Sequence, residues 1–419
     1  MKISDIKPEV YKLAEEAEID LQDRFARIDR IAQENTRKVM QAFQDNRVSE
    51  ACFAGTTGYG YDDLGRETLD RIYAQVFSTE AALVRTGFVN GTHALSAALF
   101  ALVGPGDKIL AATGAPYDTL RCAIGIGGDY HGSLKFYGVD YAQVELSASG
   151  APDYEAIAKA AADPGVKAVL IQRSRGYEDR PALSVRQIGR ICAAVRSANP
   201  TAYIMVDNCY GEFTETVEPT EVGADIIAGS LIKNPGGGVA PTGGYVAGKK
   251  ELVERAAMRL TTPGIGGECG STLGVSRLLY QGLFLAPHTV AQALKTAVFC
   301  AAMMERIGFE TSPNTTEIRS DIIQMVKLGT AENMKRFCAG IQAGAPVDSY
   351  VTPEPWQMPG YDCPVIMAAG AFIQGSSIEL SADGPFRPPY TVYLQGGLTY
   401  ESGRLGIMMA VSAMLENKE

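Results

Sequence analysis

Histidine is scarce in this chain of 419 residues, with only His93, His131 and His288, and tryptophan occurs once. The histidines lie far apart, and the eight cysteines, at 52, 122, 192, 209, 269, 300, 338 and 363, contain no Cys-x-x-Cys pair. That spacing argues against a dedicated transition-metal site and against a disulfide framework, and it fits reduced thiols in a cytoplasm. No Lys/Arg block offsets the formal net charge of -10, which excludes a broad nucleic-acid surface. No stretch reaches a membrane-spanning length without a charge, Gly or Pro, so a membrane partner is not expected. The N-terminus, Met-Lys-Ile-Ser-Asp-Ile-Lys-Pro-Glu-Val, lacks the apolar core of a signal peptide. A Gly-x-Ser-x-Gly elbow is also missing. The segment from Gly243 to Lys249 mimics a nucleotide-binding loop, but Lys250 stands where a Ser or Thr must hold magnesium.

What is present is a globular composition, 46% hydrophobic and 21% charged, at a length that suggests two domains. Residues 8–45 read as helical, with Val10, Leu13, Ala14, Ala17 and then Phe25, Ile28, Ile31, Ala32 on one stripe. Such an arm packs either on a partner subunit or on its own domain. From Ala81 onward β and α patterns alternate. Strands are expected at 81–84, 108–111, 134–137, 143–146, 168–171, 203–206 and 226–228, and helices at 94–102, 154–162 and 185–198. The pattern implies a mostly parallel sheet with helices on both faces, whose ligands gather beyond the carboxyl ends of the strands. Past residue 285 the texture changes. A helix over 289–306, another near 331–343, extended pieces at 371–380 and 391–395, and a Pro-rich loop at 353–364 suggest a smaller α+β domain. The expected division is therefore a helical arm (1–50), a large cofactor-binding α/β domain (51–285) and a small C-terminal domain (286–419).

The chemistry concentrates at the ends of successive βα units. Asn90-Gly91-Thr92 opens a helix with bare backbone N–H groups and a hydroxyl, a seat for a phosphate as well as an ordinary cap. Tyr117 follows a strand end and is placed to stack on an aromatic cofactor. Asp207 closes the strand Tyr203–Val206, and one unit later Ser230 and Lys233 end the next strand before the run Gly236-Gly237-Gly238. An anion seat, an aromatic, a carboxylate and then an amine on successive units supply what pyridoxal phosphate requires. The amine forms a Schiff base and shuttles protons, the carboxylate keeps the pyridine nitrogen protonated, and the ring takes up carbanion charge. Burial and a neighbouring cation are expected to lower the lysine pKa toward the working range. The glycines after Lys233 are expected to allow close backbone approach beside that cofactor.

With these residues the chain resembles the aspartate-aminotransferase-like, fold-type I superfamily of pyridoxal phosphate enzymes. Val206-Asp207-Asn208 and Gly223 through Lys233 are similar to the cystathionine β/γ-lyase group. Tyr59-Gly-Tyr61-Asp-Asp-Leu-Gly-Arg, Asn90-Gly-Thr-His-Ala-Leu and Ile232-Lys-Asn-Pro-Gly-Gly-Gly resemble the cystathionine β-lyase-like branch named for aluminium resistance, over nearly the full length. The resemblance implies a seven-stranded, mostly parallel sheet and a homodimer or homotetramer with shared active sites. It also implies a carbon–sulfur lyase acting on a small sulfur amino acid by β- or γ-elimination. Lys233 would carry the cofactor and Asp207 would pair with its pyridinium. Tyr117 would stack on the ring, and Gly91, Thr92 and Ser230 would hold the phosphate, helped by Tyr59 or Tyr61 from a neighbouring subunit. Arg404 would grip the substrate carboxylate, a task that suits a bidentate guanidinium. The chain departs from the group in two places. Ile232 replaces a hydroxyl before the lysine, and Tyr59-Gly60-Tyr61 lacks the interface arginine, for which Arg173 or Arg175 is expected to compensate. Transamination, racemisation or aldol cleavage on the same scaffold, or non-catalytic binding of the cofactor or a metabolite, are the rival readings.

Overall fold

The computed structural model describes residues 1–128, 130–358 and 363–415. Residues 8–45 form one helix, α1 (Pro8–Asp45), whose stripe of Val10, Ala14, Ala17, Leu21 and Ile28 is buried. The arm packs on its own chain. Asp20 pairs with Arg306, Asp29 pairs with Lys295, and the Phe25 ring meets Tyr400 edge-on.

The large domain then runs through α2 (Leu64–Val76), β1 (Ala81–Arg85), α3 (Gly91–Leu102), β2 (Lys108–Ala111) and α4 (Asp118–Ile124). It continues with β3 (Asp140–Gln143), α5 (Tyr154–Ala161), β4 (Val166–Gln172), α6 (Val185–Ala198) and β5 (Tyr203–Asp207). It ends with β6 (Ile226–Ser230), β7 (Gly244–Gly248) and α7 (Lys250–Leu260). The seven strands lie in the order β1-β7-β6-β5-β4-β2-β3, and only β7 runs against its neighbours. Alternate residues of β4 serve two cores, Val169 and Ile171 on one face, Ala168 and Leu170 on the other. This explains why the central strands read as continuous apolar runs. Helix starts are fixed locally. Ser184 and Gln187 form a reciprocal capping box at α6, and Asn90 accepts from the His93 amide at α3.

The small domain comprises α8 (Ser276–Arg306), β8 (Glu310–Ser312), β9 (Gln324–Lys327), α9 (Ala331–Ala343), β10 (Val365–Ala368), β11 (Ser381–Pro385), β12 (Thr391–Gln395) and α10 (Tyr400–Leu415). Its five strands are all antiparallel, in the order β10-β11-β12-β9-β8. Helix α8 runs unbroken across residue 285, so one helix is common to both layers.

Three expectations are corrected. Residues 134–137 form turns, with Phe136 and Tyr137 exposed, and the edge strand is Asp140–Gln143 instead of 143–146. Residues 371–380 are bends that lead into β11. The helix expected from Thr289 starts already at Ser276 and carries Pro287 inside it. An interior proline costs about 3 kcal/mol in propensity, but Leu279, Tyr280, Leu283 and Ala286 are buried ahead of it and hold that part of the helix in place. The Pro-rich loop at 353–364 lies partly outside the described residues, and Trp356 within it bridges to Val365.

Candidate active site

Strands β4, β5 and β6 run parallel, so Gln172, Asp207 and Ser230 finish at the same sheet edge. Register brings Gln172 beside Asp207 and Asp207 beside Ala228, two residues before Ser230. Asp207 is 6% exposed and accepts from the Cys209 amide at 3.1 Å. Burial pushes its carboxyl upward, against the downward pull of Lys233. The Lys233 ammonium lies 4.0 Å over the ring of Tyr210, which follows β5 in the left-handed region, φ 70°. Two strand ends thus hold the amine, the carboxylate and an aromatic lid in one place.

The anion seat forms where α3 begins. A Cβ at Gly91 would lie 3.0 Å from Ser230 Cβ, a contact tight enough to push the strand end away by a few tenths of an ångström, so glycine lets the helix start come close. Ser230 is 1% exposed, and its Oγ has no hydrogen-bond partner. Thr92 Oγ1 meets Thr119 Oγ1 at 2.7 Å. An orphaned buried hydroxyl facing a helix N-terminus offers donors that an anion with several acceptor oxygens would satisfy. The residues therefore fit pyridoxal phosphate: an amine, a strand-end carboxylate and a phosphate seat on adjoining units.

The lysine environment corrects one expectation. Burial alone would lower the Lys233 pKa, but Cys209, Tyr210, Asp207 and Glu212 outweigh it, and the pKa of the free amine moves up. The neighbours are acidic groups rather than a cation. The glycines beyond it also serve packing of another kind. A Cβ at Gly236 would lie 1.7 Å from the Leu231 carbonyl oxygen, and one at Gly282 of α8 would lie 2.4 Å from the Gly236 carbonyl oxygen. The loop is thin because helix α8 presses against it. Asn234 ties the same loop to the Glu212 carbonyl at 3.0 Å.

Tyr117 is half-buried, edge-on to Tyr177 at 6.1 Å, and its amide donates to Gln172 Oε1 at 2.7 Å. Arg175 lines the same cleft with Arg121 and Arg387, but its Nη atoms donate to the Ser312 carbonyl at 2.8 Å and the Ser312 hydroxyl at 3.0 Å. Arg173 is fully buried and bonds Asn208, Glu218 and Glu215, bracing the turn after β5. Neither arginine contacts Gly91, Thr92 or Ser230, so neither replaces an interface arginine at the phosphate seat within this chain. Arg404 is also placed elsewhere. It forms a two-pronged pair with Glu18 of α1 at 2.9 and 3.1 Å, because its turn of α10 faces the arm. Tyr59 and Tyr61 are exposed and stack on each other at 5.4 Å, 9° from parallel.

The sequence reading missed Tyr210 and Glu212, though both lie within five residues of Asp207, in a segment that combined an aromatic and an acid after a strand end. Glu212 is fully buried, accepts from the Tyr245 hydroxyl at 2.9 Å, and is pushed up to about 8 by burial.

A model of the methionine gamma-lyase family matches residues 10–415 of the chain. The structure of a carbon-sulfur lyase involved in aluminum resistance from Clostridium novyi NT is 53% identical, with a TM-score of 0.95, covering 98% of this chain and 97% of that one. The protein YnbB of Bacillus subtilis (strain 168) is 49% identical over 408 residues, 97% of each chain. The L-methionine gamma-lyase of Pseudomonas putida is 26% identical over 212 residues, 50% of this chain and 48% of that enzyme. At 18% identity, the pyridoxal-5'-phosphate dependent protein YhfS of Escherichia coli shares the fold, with a TM-score of 0.60 over 90% of this chain and 94% of that one. The strand-end lysine, the order of the sheet and a match that spans nearly the whole sequence agree, and the chain belongs to the methionine gamma-lyase family.

Proposed function

We propose that this chain is a pyridoxal phosphate-dependent carbon–sulfur lyase that expels the sulfur-bearing side chain of a small amino acid. One observation carries the reading: Lys233, Asp207 and the orphaned Ser230 hydroxyl meet at one sheet edge, opposite the N-terminus of α3. When bound, the cofactor supplies an electron sink for charge developing at the substrate α-carbon. Ser230, Thr92 and the Gly91 amide would hold its phosphate, and Asp207 its pyridine nitrogen. Lys233 is the base that takes the α-proton, and the Tyr210 ring over it screens that amine from water. Tyr117 borders the reacting face, and the adjoining cleft sets Arg121, Arg175 and Arg387 against Asp118 and Glu178, a small positive excess with which to receive a carboxylate. The exposed Tyr59–Tyr61 pair is assigned to the site of a second copy, in a homodimer or homotetramer.

The test is direct. Purified protein given pyridoxal phosphate should develop the absorption of a lysine-bound cofactor, which borohydride bleaches, and Lys233→Ala should lose it. Release of a thiol or sulfide together with ammonia and a keto acid should follow on adding sulfur amino acids. A wild type that takes up no cofactor would falsify the reading.

A further inference from the structure

The cavity beside Tyr117 and Tyr210, about 180 Å³, is closed on its far side by one face of the small antiparallel sheet. Strand alternation sorts that sheet cleanly. Ala382, Val392 and Leu394 go to the apolar core, whereas Ser381, Asp383, Tyr393 and Gln395 line the cavity. Among the described residues that line it there is one acid, Asp383, and no Lys, Arg or His. Asp383 is 5% exposed and belongs to no ion pair among the described residues. Gln395 donates to its Oδ2 at 3.1 Å and the Tyr177 side chain also bonds the carboxylate, while Oδ1 has no partner, and the hydroxyls of Ser376 and Ser381 are likewise unpartnered. An acid placed mid-strand, without a cation and with one oxygen free, is costly unless an occupant of the cavity supplies a donor.

We propose that this cavity receives the far end of the substrate side chain, and that Asp383 selects thioether amino acids ending in an ammonium group over those ending in a methyl. The inference rests on the lyase reading above, and it names the substrate class. An ammonium would bond the free Oδ1 and the serine hydroxyls. A methyl group would leave all of them unsatisfied and cover them from water, the arrangement by which a polar site rejects an apolar isostere. Burial also pushes the Asp383 carboxyl up to about 7, with Tyr177 and Gln395 offsetting part of the rise, so a cation in the cavity would hold it ionised. Tyr210 stands between this cavity and Lys233, which sets the ammonium at the end of the side chain remote from the α-carbon.

Matched probes decide it. L-Lysine and L-2-aminoheptanoate have side chains of equal length that end in ammonium and methyl, and neither has a carbon–sulfur bond to break. Titrated into the cofactor-loaded protein and followed by the cofactor's absorbance, L-lysine should bind at least about tenfold tighter. Asp383→Asn should abolish that ratio, and should Asp383→Asn not fold, the wild-type ratio decides alone. With cleavable partners, S-(2-aminoethyl)-L-cysteine should exceed S-propyl-L-cysteine in kcat/KM by a similar factor. Equal affinity for the two probes, or a preference unchanged in Asp383→Asn, overturns the assignment and leaves the cavity to water. The predicted binding ratio without release of any thiol would support the subsite and sink the lyase reading.

Discussion

The two sheets hold the site in different ways. In the parallel sheet every strand that matters ends at one edge, so Asp207, Ser230 and Lys233 come together because the chain visits them in order. In the antiparallel sheet Asp383 and Tyr393 sit mid-strand, Ser381 opens β11 and Gln395 closes β12, and the four share a cavity only because the pairing of Asp383 with Tyr393, and of Ser381 with Gln395, sets one register. A slip of one residue would turn all of them toward the core. The first arrangement is a consequence of topology, the second of pairing. Beside each sheet lies a buried acid with a raised pKa, Glu212 in the turn after β5, held by Tyr245 of β7, and Asp383 within β11, with an oxygen left free.

Removing the brace of the parallel edge should have the largest effect. Arg173→Ala leaves Glu218, 3% exposed, and Glu215 without their buried cation, and should cost about 3–5 kcal/mol in denaturant unfolding. A loss below 1 kcal/mol would show that the turn after β5 holds itself. Gly236→Ala drives a methyl into the Leu231 carbonyl and should cost about 3 kcal/mol, with cofactor uptake falling alongside as the Lys233 loop shifts from α8. Retained uptake at lowered stability would separate the loop's packing from the site.

The two buried acids sharpen the comparison through pH. The folded-state pKa of Glu212 is raised from 4.5 to about 8, so the folded chain binds more protons than the unfolded one between those values, and stability falls as pH rises through them. Glu212→Gln keeps an acceptor for Tyr245 and should flatten the fall in Tm between pH 5 and 8 measured on cofactor-free protein, with a gain of about 2 kcal/mol at the upper end. For Asp383 the window runs from 3.8 to about 7, and Asp383→Asn should raise Tm above that window and not below it. A wild-type Tm independent of pH across these ranges would remove the basis for both. The smallest effect is expected at Arg404. Arg404→Ala breaks a partly exposed pair with Glu18 and should cost about 1 kcal/mol or less, with kcat/KM unchanged. A large rise in KM instead would return Arg404 to the substrate site.

Much of the large domain was legible because periodicity and strand-end chemistry are local. The strands that end in Asp207 and Ser230 carry uninterrupted apolar runs, and the residues after them break that pattern at once. Residues 134–137 misled because Leu134 and Phe136–Tyr137 have strand-like side chains, yet a turn closed by the Leu134 carbonyl leaves the two aromatics outside. Arg404 misled for a different reason. A helix position is known from sequence, but whether its face meets a ligand or another helix depends on the turn at which α1 crosses it. The glycines after Lys233 were expected to allow close approach beside a cofactor, and the close approach they do make is to a helix forty-odd residues later in the chain.

The sequence by itself determined the α/β class, the order of the chemical groups and the strand ends that carry them, since each follows from residues within one or two turns of the chain. Tertiary structure decided which atoms are left without partners. Ser230 and Asp383 are ordinary polar residues in the sequence, and only burial against α3 and in the cavity wall leaves Ser230 Oγ and Asp383 Oδ1 unbonded. It also decided that acidic groups rather than a cation surround Lys233, because strand register and the left-handed turn at Tyr210 fold that neighbourhood from residues whose charges the sequence shows but whose distances it does not.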